Sequence, residues 1–272
     1  MKKKHRSFLK WAGGKYNLSD TIKKILPAGE RLIEPFVGAG SIFLNSDYQH
    51  YILNDINQDL INLYKILQTN PQQFINDAAA LFSPENNDSD VYYQFRAEFN
   101  QTKDSYYRSL LFLYMNRHGY NGLCRYNKSG GYNVPFGQYK KPYFPEAELS
   151  YFAEKAKKAT FVCEGYRDTF MRAKSGDVIY CDPPYVPLSK TASFTSYAGN
   201  GFGLDEQADL ANAAEEVSQR GDISVLISNH DTIWTRKIYE NAKKFTSVKV
   251  ARTISQKGAT RVKVAEILAL YQ

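Results

Sequence analysis

The sequence predicts an α/β protein, an open sheet with an inserted, mostly helical domain that contains a hairpin. Three observations predict it. A strand, a glycine turn and a helix follow one another from Arg31 to Asn45, and a short strand, Tyr51 to Leu53, ends near Asp55, which is the opening of a βαβ unit. A second short apolar run, Val178 to Cys181, is stopped by Pro183 and Pro184, because proline offers no N–H to a ladder and fixes φ. Between them, from Leu60 to about Asn116, apolar residues recur at helical spacing with no strand of the main sheet. The sheet is therefore assigned to residues 1–57 and 145–272, and the insertion to 58–144.

The chain of 272 residues is long enough for one or two domains, and its 43% hydrophobic content supports a core. A net charge of +7 favours a polyanionic partner, and the 21 tyrosines supply rings that stack on bases and hydroxyls that hydrogen-bond. The 3 cysteines, Cys124, Cys163 and Cys181, are scattered without paired spacing. That argues against a disulfide framework or zinc site, predicts no metal, and points to a reducing, cytoplasmic compartment. Met1-Lys2-Lys3-Lys4 is basic, but no apolar stretch follows it as in a signal peptide. The longest strongly apolar run, Leu110 to Met115, is too short for a membrane span.

Taken in order, Phe8 to Lys15 reads FLKWAGGK. Ala12, Gly13 and Gly14 make a tight turn with bare N–H groups, and Lys15 adds a cation. It is not a Walker loop, since no Ser or Thr follows the Lys. Such a turn can hold a carboxylate; the plainer reading is an N-terminal turn with Trp11 packed beside it. Asn17 to Ile25 reads as a helix and Arg31 to Pro35 as a strand. In Phe36-Val37-Gly38-Ala39-Gly40 the glycines let the backbone turn and approach a ligand, and Ser41 to Asn45 opens a helix. Asp55 then stands where acids accept hydrogen bonds from ribose hydroxyls. The third glycine of a dinucleotide fingerprint is replaced by Phe43, which favours a nucleoside without a pyrophosphate. S-adenosylmethionine is such a ligand. Its carboxylate suits the Ala-Gly-Gly turn and its ammonium the glycine turn.

In the insertion, Val91, Phe95 and Phe99 mark one helical face and Leu110, Leu113 and Tyr114 another. Arg117 to Tyr143 then reads RHGYNGLCRYNKSGGYNVPFGQYKKPY, rich in Gly, Asn and Tyr with interleaved Arg and Lys. Gly130-Gly131 suits a hairpin turn. Arg and Lys can meet phosphate or guanine edges, Asn can meet adenine, and Tyr can wedge or stack, so this composition suits a DNA-reading surface.

From Phe144 the α/β rhythm resumes. Glu146 to Lys158 is a helix and Thr160 to Cys163 a strand, before Val178 to Cys181. Leu188 to Gly203, rich in Ser, Thr and Gly, reads as a lid. A helix from Asp205 to Gln219, a strand from Ile223 to Ser228 and a helix from Thr232 to Lys244 follow. Val248 to Arg252 and Val264 to Leu270 are a final pair of strands around a basic loop, Lys257 to Arg261. His230 is the best-placed histidine for catalysis, with a hydrogen-bonding role in its turn as the plainer reading.

Asp182 is thus delivered at the carboxyl end of a strand, the edge where open α/β sheets bind ligands. A carboxylate and an unpartnered main-chain carbonyl at the prolines are both acceptors, and together they suit a planar NH2. Tyr185 can stack on the base that carries it. The arrangement fits N6 of adenine and makes Asp182, Pro183 and Tyr185 the candidate catalytic set.

In their order, FLKWAGGK, EPFVGAGS (Glu34 to Ser41), RHGYNGLCRYN (Arg117 to Asn127), CDPPY and ISNHD (Ile227 to Asp231) resemble the Dam-type DNA adenine-N6 methyltransferases along nearly the whole chain. The resemblance implies a Rossmann-like S-adenosylmethionine-dependent methyltransferase sheet and an inserted DNA-recognition domain. It also implies a bacterial or phage enzyme that acts as a monomer on double-stranded GATC sites. Trp11, Ala12, Gly13, Lys15, Phe36, Gly38, Asp55 and Asp182 would then bind the cofactor, and Tyr185 would stack on a flipped adenine. Lys10 would contact the first guanine, Tyr120 would insert into the stack and Asn121 would support the opened site. Leu123 and Pro135 would pack on the thymine methyl, and Arg125 would read a guanine. Arg96, Arg117, Asn127, Asn133, Tyr139 and Lys140 complete the candidate DNA-contacting set. Gln138 departs from the family's Arg, which puts one DNA contact in question.

Three rivals are weighed against this. Cytosine-C5 methylation needs a cysteine nucleophile, and Cys181 adjoins Asp182, but neighbouring side chains on a strand face opposite ways, so Cys181 is expected to pack inside. Protein glutamine methyltransferases carry Asn before the two prolines. A DNA-binding regulator without chemistry would be signalled by a lost Asp182 or a broken glycine turn, and both are intact.

Overall fold

A short 3-10 turn, Lys15–Leu18, runs into α1, Ser19–Ile25. Three buried positions out of four make Arg31–Glu34 a core strand, β1. The glycine turn leads into α2, Ser41–Asn45, and β2, His50–Asn54. Four helices follow, α3 (Gln58–Thr69), α4 (Pro71–Ala80), α5 (Ser89–Gln101) and α6 (Ser105–His118), and then α7 (Glu146–Ala156) and β3 (Ala159–Val162). The chain continues through α8 (Tyr166–Met171), β4 (Asp177–Cys181), α9 (Leu204–Ser218), β5 (Ser224–His230) and α10 (Ile233–Ile238) to β6 (Lys244–Ala251) and β7 (Lys263–Tyr271). This computed structural model describes residues 3–185, 202–251 and 263–272.

The fold is mixed α/β, with a seven-stranded sheet in the order β3-β2-β1-β4-β5-β7-β6. β1 pairs parallel with β2 and β4, and β4 pairs parallel with β5. β7 runs antiparallel to both β5 and β6. Every residue of β4 is buried, as a strand covered on both faces requires. The order reverses between β1 and β4. That is the switch point at whose carboxyl edge such sheets take ligands, and it is where Asp182 emerges.

The chain packs as two compact units. One comprises Met1–Tyr16, Gly38–Asn45 and Asn57–Cys163, and the other Asn17–Val37, Ser46–Ile56 and Glu164–Gln272. The expected insertion, 58–144, falls within the first. There Asn57, Asp88 and Asp104 cap α3, α5 and α6, each accepting two backbone N–H groups. From Ser109 to His118 α6 is buried all round, so it shows no amphipathic stripe and acts as the central helix. The hairpin at Gly130-Gly131 is a turn closed by Asn127, with isolated bridges Tyr126 to Tyr132 and Gly119 to Phe136 rather than a ladder.

Three elements differ from the sequence reading. α8 was not expected. α10 ends at Ile238, well before Lys244, because Tyr239 turns into the core to meet Gln207 and Asn229. β6 therefore begins at Lys244. The lid over 188–203 lies outside the described residues as far as 201, and the basic loop over 257–261 lies outside them entirely. No helix among the described residues is long and apolar enough to cross a membrane.

Candidate active site

In the second unit, alternation along β4 puts Tyr180 and Asp182 on one face and Cys181 on the other. β4 and β5 are in parallel register with Cys181 opposite Ile227. One position further on, the Ser228 hydroxyl lies 3.0 Å from Asp182 Oδ1 and 3.1 Å from the Tyr180 hydroxyl. The Tyr185 hydroxyl donates to Glu266 Oε2 at 2.9 Å, and its ring stands edge-on to His230 at 4.7 Å. Burial, with Asp182 and Glu266 nearby, pushes the Tyr185 phenol well up, so it is a neutral donor at ordinary pH. Gln207 Nε2 donates to the Pro184 carbonyl at 2.7 Å. The Asp-Pro-Pro-Tyr turn is thus held at a carboxylate, a carbonyl and a hydroxyl.

The neighbouring strand ends are joined by Asn54. Its side-chain NH2 donates to the Pro35 and Glu164 carbonyls at 2.9 and 3.1 Å, and its main-chain carbonyl accepts from Val37 at 2.8 Å. Phe36 is thereby fixed against two more rings, Tyr166 and Phe202, each with its centroid 5.6 Å away. Asp55 follows directly at the end of β2 and is half-buried.

In the first unit, Gly38 has φ +47°, and a Cβ there would lie 2.9 Å from Trp11 Nε1. Its carbonyl accepts from the Tyr64 hydroxyl at 2.6 Å. Ala12 and Gly13 form the turn closed by Gly14 N–H to the Trp11 carbonyl, with Gly13 at φ +78°. The buried Lys15 ammonium folds back onto the Gly13 carbonyl at 2.9 Å.

The candidate DNA-contacting residues also lie in the first unit. Lys10 is gripped by the buried Asn116, whose side chain bonds both its N–H and its carbonyl, at 2.9 and 2.8 Å. The Lys10 ammonium lies 3.8 Å from the centroid of the Tyr139 ring. Asn121, at φ +53°, donates its N–H to the Tyr139 hydroxyl, and Tyr120, half exposed, donates its N–H to the Pro135 carbonyl. Lys10, Tyr120, Asn121, Pro135 and Tyr139 are thus brought together, with Leu123 half-buried just beyond. The exposed Arg125 is steadied by Asn133, 2.7 Å from its Nε. Asn127 folds its oxygen into its own turn, and Lys140 is exposed. Arg117 is buried and donates to the Tyr143 and Phe8 carbonyls, and Arg96 donates to the Val134 carbonyl. Gln138 is exposed at φ +52°.

Sequence reasoning missed Asn54, Asn116, Gln207, Ser228 and Glu266. Ser228 lies inside the ISNHD segment, where His230 drew attention; the others carry no local pattern. His230 meets Tyr185 with its ring and accepts from the Thr235 hydroxyl with its carbonyl. Cys181 packs inside as expected, at 0% exposure, and burial pushes its thiol well up. Among the described residues no cluster of His, Cys, Asp or Glu could hold a metal ion.

Residues 11–254 match the family model of the D12 class N6 adenine-specific DNA methyltransferases. A DNA adenine methylase of Vibrio cholerae serotype O1 is 62% identical over 269 residues, 99% of this chain and 97% of that one. One of Escherichia coli strain K12 is 60% identical, covering 99% and 96%. One of Serratia marcescens is 59% identical, covering 99% and 100%. The chain belongs to the D12 class of N6 adenine-specific DNA methyltransferases, an enzyme family whose methyl donor is S-adenosylmethionine and whose substrate is adenine in DNA.

Proposed function

We propose that this enzyme methylates N6 of adenine within GATC in double-stranded DNA, acting as a monomer on a base swung out of the helix. The observation that carries this reading is the Asp182 carboxylate, held by Ser228 at the carboxyl end of β4 beside the switch point of the sheet.

The residues fit S-adenosylmethionine. The left-handed Gly38 turn leaves no room for a side chain beside Trp11, and Phe36 presents a ring braced by Tyr166 and Phe202. Asp55 would take the ribose hydroxyls, and Trp11, Ala12, Gly13 and Lys15 the amino-acid end. When bound, the cofactor supplies a methyl group on a sulfonium, a good leaving group.

The adenine amine is a poor nucleophile because its lone pair is delocalised into the ring. Hydrogen bonds from N6 to Asp182 and to the Pro183 carbonyl favour a pyramidal nitrogen with its lone pair directed at the methyl. The gain is mostly orientation and electrostatics, and no covalent intermediate is needed. Tyr185 would stack on the extruded base, whose release from the duplex costs about a few kcal/mol. Residues 58–144 are proposed as the recognition domain, with Lys10, Tyr120, Asn121, Leu123, Arg125 and Pro135 meeting the site. Arg96, Arg117, Asn127, Asn133, Tyr139 and Lys140 would support that contact.

The test is transfer of labelled methyl to duplexes with and without GATC, with 2-aminopurine at the target position as a reporter of base extrusion. Labelling confined to GATC, with a fluorescence rise on binding, supports the reading. Equal labelling of a GATC-free duplex rejects the specificity. Asp182→Ala is expected to abolish transfer while weakening cofactor binding only in part.

A further inference from the structure

We propose that Ser228 is a positioning residue for methyl transfer, setting the plane of the Asp182 carboxylate. This rests on the reading of Asp182 as the acceptor for the substrate amine. Ser228 sits on β5, fully buried. Its hydroxyl lies 3.0 Å from Asp182 Oδ1, 3.1 Å from the Tyr180 hydroxyl and 3.4 Å from the Cys181 carbonyl.

A serine hydroxyl has one proton to give and two lone pairs to receive. The carboxylate is the nearer and the charged acceptor, so it takes the proton. The Tyr180 hydroxyl then donates into Ser228, giving one direction of donation, Tyr180 to Ser228 to Asp182. Burial pushes the Tyr180 phenol well up, which keeps it a donor. Register makes this possible: Cys181 pairs with Ile227, so Ser228 lies one position beyond that pair, where Asp182 follows Cys181 on the side that Tyr180 faces.

Gln207 holds the main chain of the turn at the Pro184 carbonyl, and the Tyr185 hydroxyl meets Glu266 and also Ser228. The terminal torsion of the Asp182 side chain is intrinsically broad. Ser228, on a central strand, narrows it through the 3.0 Å contact to Oδ1. A carboxylate turned out of line would still bind an amine but would not aim its lone pair, so orientation enters the rate more than the binding.

The experiment measures single-turnover methyl transfer to the duplex that the wild-type enzyme methylates, with Kd for cofactor and DNA, in Ser228→Ala, Ser228→Thr and Ser228→Val. The rate in Ser228→Ala is expected to fall on the order of 10- to 100-fold, with both Kd values within about twofold of wild type. Thr and Val have similar shape and differ in the hydroxyl. Thr is expected to recover most of the rate and Val none, a comparison that decides the matter even where Ser228→Ala does not fold. Equal rates for Thr and Val, or a wild-type rate in Ser228→Ala, overturn the proposal. Asp182→Ala, measured alongside, separates the two failures. If it is inactive while Ser228→Ala is not, only the role of Ser228 falls. If it is fully active, the reading of Asp182 falls as well.

Discussion

A side chain at Gly122 would collide with Lys10: an added Cβ would lie 2.1 Å from the Lys10 Cβ, and Gly122 also has φ +62°. The backbone of the second residue after Tyr120 is the surface on which the Lys10 stem lies. Gly122→Ala must shift one or the other, at a cost of about 1–3 kcal/mol, and it moves Lys10 away from Tyr139. The expected outcome is a lower Tm together with a duplex Kd weakened by about tenfold. A variant with wild-type Tm and affinity would show that this packing carries neither stability nor recognition.

With Lys10 at the DNA as proposed, duplex binding is expected to depend on pH. Its burial, and then the Arg117 guanidinium, lower its ammonium from 10.5 to about 8. Between those values the unfolded chain holds a proton that the folded chain has lost. The penalty on the folded state is therefore full below about 8 and fades as pH rises towards 10.5, so this group's effect on stability improves with pH. DNA affinity is expected to move the other way, since Lys10 loses its charge as pH rises through about 8. Titrating duplex affinity from about pH 7 to about pH 9.5 in wild type and Lys10→Met isolates the effect. The wild-type advantage is expected to shrink above pH 8, and a constant advantage would contradict it.

Tyr185 combines a ring with a tether to Glu266, and two substitutions separate them. Tyr185→Phe keeps the ring and removes the tether, with an expected loss of several-fold in single-turnover rate. Tyr185→Ala removes the proposed stacking surface as well, worth about 1–3 kcal/mol for one base, and the loss should approach 100-fold. Equal rates in Tyr185→Ala and wild type would remove this residue from the site.

Cys181→Ala is expected to retain methyl transfer within about twofold. The thiol is fully buried and pushed up by burial, away from the thiolate that a cytosine-C5 reaction requires. An inactive variant that still binds cofactor and DNA would reopen that chemistry.

Much of the fold is legible in residue order. Pro183 and Pro184 end β4, and the glycine turn opens α2. These are local effects, settled within a turn of chain. The end of α10 was not legible, because it depends on Tyr239 reaching Gln207 across 32 residues of sequence. The hairpin around Gly130 was legible as a turn, but its bridges depend on Tyr132 being held by Asn100 and the Leu123 carbonyl.

The sequence by itself determined the chemistry on offer: an acid before two prolines, a ring after them, glycines where backbone must come close, and a basic, aromatic segment in the insertion. Only the tertiary structure decided how that chemistry is aimed. Ser228 faces Asp182 across 46 residues and Glu266 meets Tyr185 across 81, contacts created by strand register and invisible to any local pattern. The direction of a carboxylate is a property of what surrounds it, and its surroundings come from parts of the chain far apart in order.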